Sequence, residues 1–325
     1  MKKYTHAWLA FMAIKRLEDT IISDTDRKYA DSLISWFKSH KDCVVQGAWY
    51  PDAVIKDMAT SHVLKITPSN DSAVKFKTLP ATYMNYQLGK DSPVRNMSFT
   101  IEKGNNLPDR CDAIAHSVVD HLKLQEHEEK GSPVSPSDNQ IALLLFMLSH
   151  YVADAHMPLH CDSRRFSEGV NLHNHIEAEW EKMIKLHYRI DSKNERFFYD
   201  PSGYPLLKEP SKGKKYQSSP LKKVADMLDG RKFLISWGGD NQNVWDFMSA
   251  ICEHSYLLSY CFLPPEHNPS NVTLDKWQSL SSMPFEKYSV AVLSDTIDSI
   301  ARIWLRVWRR YMKWEKKQRA KVKSN

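Results

Sequence analysis

Glycine, cysteine and long apolar runs are all scarce in this sequence. Only 10 of its 325 residues are glycine, and apolar residues recur at helical rather than alternating spacing, so we expect mainly helix and little sheet. The longest apolar run, IALLLFML at residues 141–148, is far shorter than the roughly 20 residues that a membrane span needs. The opening MKKYTHAWLAF lacks a small-residue cleavage site, so we expect neither a signal peptide nor a membrane anchor.

The number of cysteines and the net charge indicate the expected compartment and the expected role of the basic tail. The five cysteines include no CxxC pair, and an odd number argues against a complete disulfide framework, so we expect a cytoplasmic protein. The net charge is only +6, and the clearest basic cluster is the tail from Arg309 to Lys323. We expect a frayed, solvated helix end there rather than an anchor to an anionic surface, because a polybasic segment without an apolar face binds membranes weakly.

What the sequence does contain is a series of helical apolar patterns. They cover residues 5–16, 26–39, 111–127, 138–155, 171–186, 245–262 and 289–314. Several are preceded by residues suited to helix N-caps. Because there is no internal repeat and no linker between two units, the patterns predict an all-α fold. We expect one multi-helix bundle over residues 1–315 and a basic, frayed tail over residues 316–325.

Long polar connections separate these helices. GAWYPDAV, at residues 47–54, is typical of a turn, and Pro158 is expected to end the helix that begins near residue 138. Residues 67–109 and 191–220 are rich in loop-forming residues, and the second stretch is a candidate lid or insertion. Four aromatic residues in these connections are candidates for a substrate-facing rim, although ordinary packing is the preferred interpretation: Tyr83, Tyr86, Phe197 and Tyr199.

The strongest chemical signal is HYVADAHMPLH, at residues 150–160. His150 and Asp154 are four residues apart, so on a helix both side chains lie on one face and can bind a single ion. His160 follows the proline break. Imidazole and carboxylate groups are the ligands that zinc uses in hydrolytic sites, where one position stays open for water.

A second pair with the same spacing follows in NLHNHIEAEW. His173 and Glu177 form one candidate pair, and His175 with Glu179 is the alternative register. Either pair alone is more simply explained as a salt bridge on a helix face. Together with the first pair and His160, however, the motif places five candidate ligands within 28 residues. Burying so many polar groups without a metal ion would be costly.

The other histidines are interpreted one by one. His116 with Asp120 and His187 with Asp191 repeat the four-residue spacing, but no further histidine follows a proline break, so we expect simple helix-face pairs. Three histidines have no acidic residue four positions on and are interpreted as structural or exposed: His156, His254 and His267.

Taken in order, these motifs resemble those of the zinc-dependent phospholipase C family, which shares its helical fold and three-metal site with the S1/P1 nucleases. The resemblance covers most of the chain. The family pattern has an N-terminal residue, an early histidine, an aspartate, a histidine, an H-x3-D-x5-H core and a final H-x3-D/E. The corresponding residues here are Met1, His6, Asp52, His62, His150, Asp154, His160, His173 and Glu177.

This resemblance implies a phospholipase C-like helical fold with up to three zinc ions per chain. The implied ligand sets are Asp52, His62, His150 and Asp154 for the first ion; the Met1 amine and carbonyl, His6 and a bridging Asp154 for the second; and His160, His173 and Glu177 for the third. An α-amine loses its proton readily beside a metal ion, so a terminal ligand is chemically reasonable.

The implied chemistry is hydrolysis of a phosphodiester. Two close zinc ions would activate a shared water molecule for attack on phosphorus, with Asp154 as the bridge and Asp52 orienting that water or accepting its proton. The short interval from His160 to His173, with Glu177 rather than aspartate as the last ligand, resembles the phospholipase branch more than the nuclease branch.

The expected substrate is a lipid head group or another small phosphodiester, and peripheral contact with a membrane is compatible with it. Ala53 and Ala59 stand where the bacterial phospholipases have aromatic residues that help to hold choline, so a phosphatidylcholine head group is not indicated. Two alternatives stay open: a nuclease that acts on single-stranded nucleic acid, and an inactive helical module that keeps its metals and binds anionic partners through the tail. The inactive module is disfavoured because every side-chain ligand of the family pattern is present.

Overall fold

The computed structural model describes residues 1–20, 22–58, 60–68, 99–100, 104–128, 132–164, 171–210, 213–233, 243–263, 267, 272–280 and 283–324. Helices dominate these residues, which confirms the all-α prediction. They are α1 (Lys3–Asp19), α2 (Asp24–Ser39), α3 (Val44–Tyr50), α4 (Leu107–His127), α5 (Asp138–Ala155), α6 (Pro158–Cys161), α7 (Leu172–His187), α8 (Lys214–Gln217), α9 (Pro220–Asp229), α10 (Val244–Phe262), α11 (Leu274–Leu280) and α12 (Phe285–Ser324).

The remaining regular elements are short. A 3-10 turn (Lys41–Cys43) precedes α3, and a π-helical turn (Pro51–Ile55) follows it directly. The strands of two residues each form two antiparallel pairs: β1 (Thr67–Pro68) with β2 (Phe99–Thr100), and β3 (Ile190–Asp191) with β4 (Arg196–Phe197).

Side-chain caps determine where the two histidine-bearing helices begin. At the start of α5, the Ser137 side chain accepts the backbone N–H of Gln140, and the Gln140 side chain accepts the backbone N–H of Ser137. At the start of α7, the Asn171 side chain accepts the backbone N–H of Asn174. Each contact satisfies a donor that the first helical turn leaves without a partner. Both helices therefore begin within one residue of the predicted position.

The GAWYPDAV segment is helical, and the prediction of a turn is wrong. α3 continues straight into the π-helical turn. Pro51 is tolerated because it opens that turn, where its missing N–H is not needed. Gly47 lets α3 lie against α5, since an added Cβ would meet the Phe146 side chain at 2.8 Å. This close approach brings Asp52, on the π-helical turn, toward α5.

α5 ends at the expected residue. Its last residue is Ala155, and the backbone N–H of His156 caps it by donating to carbonyls of the last turn. Pro158 does not end α5 but opens α6, at a first-turn position that suits proline. The new helix carries His160.

α5 is the central helix of the bundle. It contacts α1, α3, α4, α10 and α12, and it is buried on nearly all sides, as is typical of a core helix. The surrounding core includes fully buried tryptophans such as Trp8, Trp180 and Trp304. Because His150 and Asp154 belong to this helix, their polar groups are held away from bulk water.

The candidate lid or insertion after α7 begins with the β3–β4 hairpin, which packs on α1. Phe197 is only 1% exposed, and the rings of Phe197 and Tyr199 lie 5.9 and 5.7 Å from the ring of Phe11. These two aromatic residues therefore contribute to packing rather than to a substrate-facing rim. Tyr83 and Tyr86, with most of the predicted connection over residues 67–109, lie outside the described residues.

α12 extends to Ser324 and so includes the basic residues of the tail, for which a frayed, solvated helix end remains the prediction. Within the described ranges, no helix combines the length and the apolar content that a bilayer crossing requires.

Candidate metal centre

All nine residues of the implied ligand set lie together, where α1, α5, α6, α7 and the segment after α3 meet. We call them the ligand cluster: Met1 and His6 from α1 and the residues before it, Asp52 from the π-helical turn, His62 from the segment before β1, His150 and Asp154 from α5, His160 from α6, and His173 and Glu177 from α7. Seven of the nine are buried, and Asp52 and His173 are partly buried. The fold thus collects side chains that are far apart in sequence into one polar pocket of the core.

The first group surrounds one carboxylate oxygen of Asp154. His62 Nδ1 lies 2.7 Å and His150 Nε2 lies 3.3 Å from Asp154 Oδ2, and the two nitrogen atoms are 3.2 Å apart. Asp52 Oδ1 lies 3.6 Å from His62 Nδ1 and 3.5 Å from His150 Nε2. Atoms bound to one tetrahedral zinc ion at its usual bond lengths are roughly 3.3–3.4 Å apart. The spacings in this group suit the coordination shell of a single ion.

The second group faces the other oxygen of the same carboxylate. Asp154 Oδ1 lies 3.2 Å from the amino nitrogen of Met1 and 3.6 Å from His6 Nε2. The ring of His6 also stacks on that of His150, with the ring centroids 3.9 Å apart. A carboxylate whose two oxygens face separate sets of nitrogen atoms has the geometry to bridge two ions.

The third group joins α6 to α7. His160 Nε2 lies 2.7 Å from His173 Nε2, and Glu177 Oε1 lies 3.0 Å from His173 Nε2 and 4.0 Å from His160 Nε2. In the alternative register, Glu179 points away and pairs with Lys182 at 3.2 Å. The structure therefore brings His173 and Glu177, not the alternative pair, next to His160.

The hydrogen bonds of His62 and His150 indicate whether a metal ion fits between the two rings. His150 donates its Nδ1–H to the Ala48 carbonyl at 2.7 Å, and His62 Nε2 lies 2.9 Å from the Asp57 carboxylate. A carbonyl and a carboxylate can only accept, so in the neutral rings the atoms that face each other, His150 Nε2 and His62 Nδ1, carry lone pairs. Two lone pairs at this distance repel each other unless a proton or a metal ion lies between them. The donor set fits zinc.

Unsatisfied atoms lead to the same conclusion. His6 is 1% exposed, yet neither of its ring nitrogens has a hydrogen-bond partner among the residues that the structure describes, and the same holds for His160 Nδ1. Buried polar atoms in folded proteins nearly always have partners. Within the described ranges, three groups have ligand atoms close enough to share an ion: His6, Asp52 and His150; His62, His150 and Asp154; and His160, His173 and Glu177.

The amino group of Met1 is a cationic partner for these carboxylates. It lies 3.2 Å from Asp154 Oδ1 and 2.6 Å from Glu177 Oε1. Burial lowers the pKa of this amine, but the carboxylates of Asp154, Glu177 and Asp52 outweigh burial and raise the pKa from 8.0 to about 11. Burial in turn raises the pKa of Asp154, yet the amine and the neighbouring histidines hold it well below 3.8. Asp154 is therefore ionised at neutral pH, as a metal ligand must be.

The histidines of the cluster differ in charge. Burial lowers the pKa of His6 and that of His160 well below 6.5, so both rings are neutral at pH 7. Burial also disfavours the charged form of His150, but Asp154 and Asp52 outweigh it and raise the pKa of His150 to about 9. A metal ion that binds here would displace the protons of His150 and of the Met1 amine, so we expect binding to release protons.

Two acidic residues beside the cluster are not predicted from the sequence. Asp57 contacts His62 from outside the cluster. Glu181 accepts the backbone N–H and the hydroxyl of Thr5 at 3.0 and 3.1 Å, which anchors the first turn of α1. Glu181 lies one turn after Glu177 on the same face of α7, and this spacing is a usable sequence signal. Asp57 has no such signal, because it follows an irregular turn.

The two helix-face pairs expected elsewhere do not form as predicted. His116 lies 3.9 Å from Asp112, on the preceding turn of α4, rather than beside Asp120. α7 ends at His187, so Asp191 falls in β3 and is not on the helix face. Four-residue spacing alone therefore overstates the number of paired histidines.

Comparisons with known proteins find similarity in structure but none in sequence. No protein-family model matches the chain, and no curated protein sequence matches it. Among solved structures, the chain is similar to the alpha-toxin of Clostridium perfringens isolated from avian strain SWCP, with 14% sequence identity and a TM-score of 0.44. The similarity covers 94% of this chain and 63% of the toxin chain, so this chain spans less than two thirds of the toxin's length.

Proposed function

We propose that this protein is a zinc-dependent phosphodiesterase of the phospholipase C type. The observation that carries the proposal is the placement of Asp154 between two sets of nitrogen ligands. Its Oδ2 atom faces His62 and His150, and its Oδ1 atom faces the amine of Met1 and His6. A buried salt bridge needs one cationic partner for the carboxylate, whereas two convergent ligand sets suit a pair of ions.

The ligand cluster then provides up to three zinc sites. The proposed sets are Asp52, His62, His150 and Asp154; Met1, His6 and Asp154; and His160, His173 and Glu177. Bound zinc would supply an activated water molecule and offset the charge that develops on the phosphate oxygens. The contribution of the protein is to hold these donors in place within a pocket that is largely closed to bulk water.

Asp52 is the carboxylate of the cluster best placed to act on a water molecule. Its side chain is 11% exposed, compared with 2% for Asp154 and 5% for Glu177. We assign to Asp52 the orientation of the attacking water and the removal of its proton as the water oxygen bonds to phosphorus and the leaving oxygen departs. Asp154 is assigned the bridging role.

A lipid head group or another small phosphodiester is the substrate in this proposal, and single-stranded nucleic acid is the alternative. The short interval from His160 to His173 favours the lipid-type substrate. Ala53, directly after Asp52, offers no aromatic ring for a choline group, so we do not extend the proposal to phosphatidylcholine.

Zinc content and hydrolysis test the proposal together. We expect the purified protein to hold about three zinc ions per chain by inductively coupled plasma mass spectrometry, and to hydrolyse bis(4-nitrophenyl) phosphate. Chelation should abolish the activity, and added zinc should restore it. Glu179→Gln is the matched control and should keep the zinc content and the activity, because Glu179 lies on the same helix as Glu177 but pairs with Lys182. Protein that binds no zinc and stays inactive after reconstitution would contradict the proposal.

Two substrates assayed with one preparation separate the enzyme branches. Faster hydrolysis of phosphatidylethanolamine vesicles than of single-stranded DNA would support the phospholipase assignment. The reverse order would reassign the protein as a nuclease. Bound zinc without hydrolysis of any phosphodiester would support the inactive module.

The terminal ligand has its own test. A Gly-Ser extension before Met1 moves the amine away from Asp154 while every side-chain ligand remains. We expect the loss of about one zinc ion per chain. Unchanged zinc content and an unchanged rate would remove Met1 from the ligand set.

A further inference from the structure

Asp57 lies directly behind His62, on the side away from the ligand cluster. The chain turns at Lys56, whose φ of 58° is left-handed, and Asp57 follows at once. Its Oδ1 atom lies 2.9 Å from His62 Nε2. Since an ionised carboxylate can only accept, His62 donates here and presents its other nitrogen to the cluster. That nitrogen, Nδ1, is 2.7 Å from Asp154 Oδ2.

Two helices hold Asp57 in this position. The hydroxyl of Tyr151, on α5, donates to the Asp57 carboxylate and lies 3.1 Å from each of its oxygens. Arg110, on α4, places its Nε atom 3.6 Å from Asp57 Oδ2 and donates to the Tyr151 hydroxyl at 3.4 Å. The Arg110 guanidinium also lies over the Tyr151 ring, 5.5 Å from its centroid. Tyr151 immediately follows His150 in the sequence. The same turn of α5 therefore carries His150 and, through Tyr151 and Asp57, also supports His62.

A simpler reading makes Asp57 one half of a surface ion pair with Arg110. The distances argue against it. The Arg110 contact, at 3.6 Å, is longer than a hydrogen bond, whereas the contacts to His62 and Tyr151 are 2.9 and 3.1 Å. The Asp57 side chain is only 18% exposed. An exposed ion pair would contribute little to stability. A hydrogen bond between a partly buried carboxylate and a histidine, by contrast, restrains the histidine ring.

We propose that Asp57, held by Tyr151 and Arg110, is a positioning residue that orients His62 for zinc binding and strengthens its Nδ1 atom as a ligand. The inference rests on the proposed function. A carboxylate that accepts the far N–H of a ligating histidine prevents rotation of the ring and increases the basicity of the bound nitrogen. Loss of such a partner typically weakens metal affinity 10–100-fold.

The test compares Asp57→Asn and Tyr151→Phe with the parent protein. We measure the zinc dissociation constants by competition with a chromophoric chelator, the melting temperature of the metal-free protein, and the side-chain N–H proton of His62 by ¹H–¹⁵N NMR. For Asp57→Asn we expect about 10–100-fold weaker binding of one zinc ion, a nearly unchanged metal-free melting temperature and a shifted His62 N–H resonance. Tyr151→Phe keeps the charge of Asp57, so its effect on affinity should be smaller.

Asp112→Asn is the matched control. Asp112 also faces a histidine, His116 at 3.9 Å, but on the partly exposed surface of α4. This variant should leave every zinc dissociation constant unchanged.

The outcomes separate this inference from the proposed function. A parent protein that binds no zinc would overturn both. Parent protein with normal zinc content, together with unchanged affinity and an unchanged His62 resonance in Asp57→Asn, would overturn the positioning role alone. A lower metal-free melting temperature with unaltered zinc affinity would assign Asp57 to folding and would likewise overturn it.

Discussion

Two buried clusters of charged side chains share helix α1. His6, in the first turns of α1, belongs to the ligand cluster. Arg16, near the end of α1, belongs to a second cluster. Arg16 Nε donates to Asp298 at 2.8 Å, and Arg231 donates to Asp295 at 2.7 Å and to Asp298 at 3.1 Å. We call Arg16, Arg231, Asp295 and Asp298 the arginine–aspartate network. Both clusters are buried in the same bundle, but they differ in how their polar atoms are paired.

The difference lies in the balance of donors and acceptors. The other two nitrogens of the Arg16 guanidinium donate to the carbonyls of Leu228 and Arg231 at 2.7 Å each. In the ligand cluster, by contrast, neither ring nitrogen of His6 has a hydrogen-bond partner among the described residues, and the Nε2 atoms of His160 and His173 face each other at 2.7 Å. Buried charge alone therefore does not identify a functional site. Buried ring nitrogens that have no hydrogen-bond partner among the described residues are the better sign.

The same substitution in each cluster should have opposite consequences. Asp154→Asn removes the proposed bridge, so we expect the loss of two zinc ions and a fall in hydrolysis of bis(4-nitrophenyl) phosphate by more than about a thousandfold, since bound zinc contributes several kcal/mol. Asp298→Asn should keep the zinc content and the rate per folded molecule. Equal activity in the two variants would contradict the assignment of the metal site to the ligand cluster rather than to the arginine–aspartate network.

Breaking the network should cost stability instead. Arg16→Met leaves Asp298 with fewer donors in a buried setting, and the loss of one partner of a buried pair costs about 3–5 kcal/mol. Urea denaturation of the zinc-loaded protein should show this loss, while the zinc content per folded chain stays the same. If zinc were lost in proportion to stability, the two clusters would not be independent.

Two glutamates one turn apart on α7 provide a sharper version of the comparison. Glu177→Gln should cost the protein about one zinc ion, because Glu177 belongs to the third group. Glu181→Gln should keep all the zinc and lower the free energy of unfolding by about 1–2 kcal/mol, because it weakens the charged acceptor of two Thr5 donors. Zinc analysis and urea denaturation of both variants check the pair, and zinc loss from Glu181→Gln alone would reverse the assignment.

The smallest effect is expected at Glu253 on α10, which belongs to neither cluster. Burial raises the pKa of Glu253 from 4.5 to about 7. The folded protein then holds this proton more tightly than the unfolded chain, so its stability contribution falls as pH rises between these two values. Glu253→Gln cannot ionise, and it should raise the melting temperature at pH 8 while leaving it nearly unchanged at pH 4. A shift of equal size at both pH values would show that ionisation is not the cause.

Local sequence signals were sufficient for α5 and α7, which carry four of the nine candidate ligands. α5 begins at the predicted residue because Ser137 caps it through a side chain only a few residues away. α7 likewise begins where Asn171 provides a cap. Once these helices form, the four-residue spacing places His150 with Asp154 on one face by helical geometry alone.

The segment between α3 and β1 shows where local signals fail. Pro51 indicates a break when only its neighbours are considered, but the segment is helical, and Gly47 within it packs against Phe146, nearly 100 residues away in sequence. The π-helical turn and the left-handed Lys56 that follow place Asp57 behind His62. No periodic pattern could have predicted that contact.

By itself, the sequence determined the all-α class, the bounds of α5 and α7 and the pairs of candidate ligands that share a helix face, because all of these depend on interactions within a few residues. Only the tertiary structure decided which groups meet through space. The two oxygens of Asp154 face different nitrogen sets, the His173 register lies beside His160, and Asp57 contacts His62 because helices distant in sequence pack against one another. The spacing of the ligands along the chain does not predict that packing.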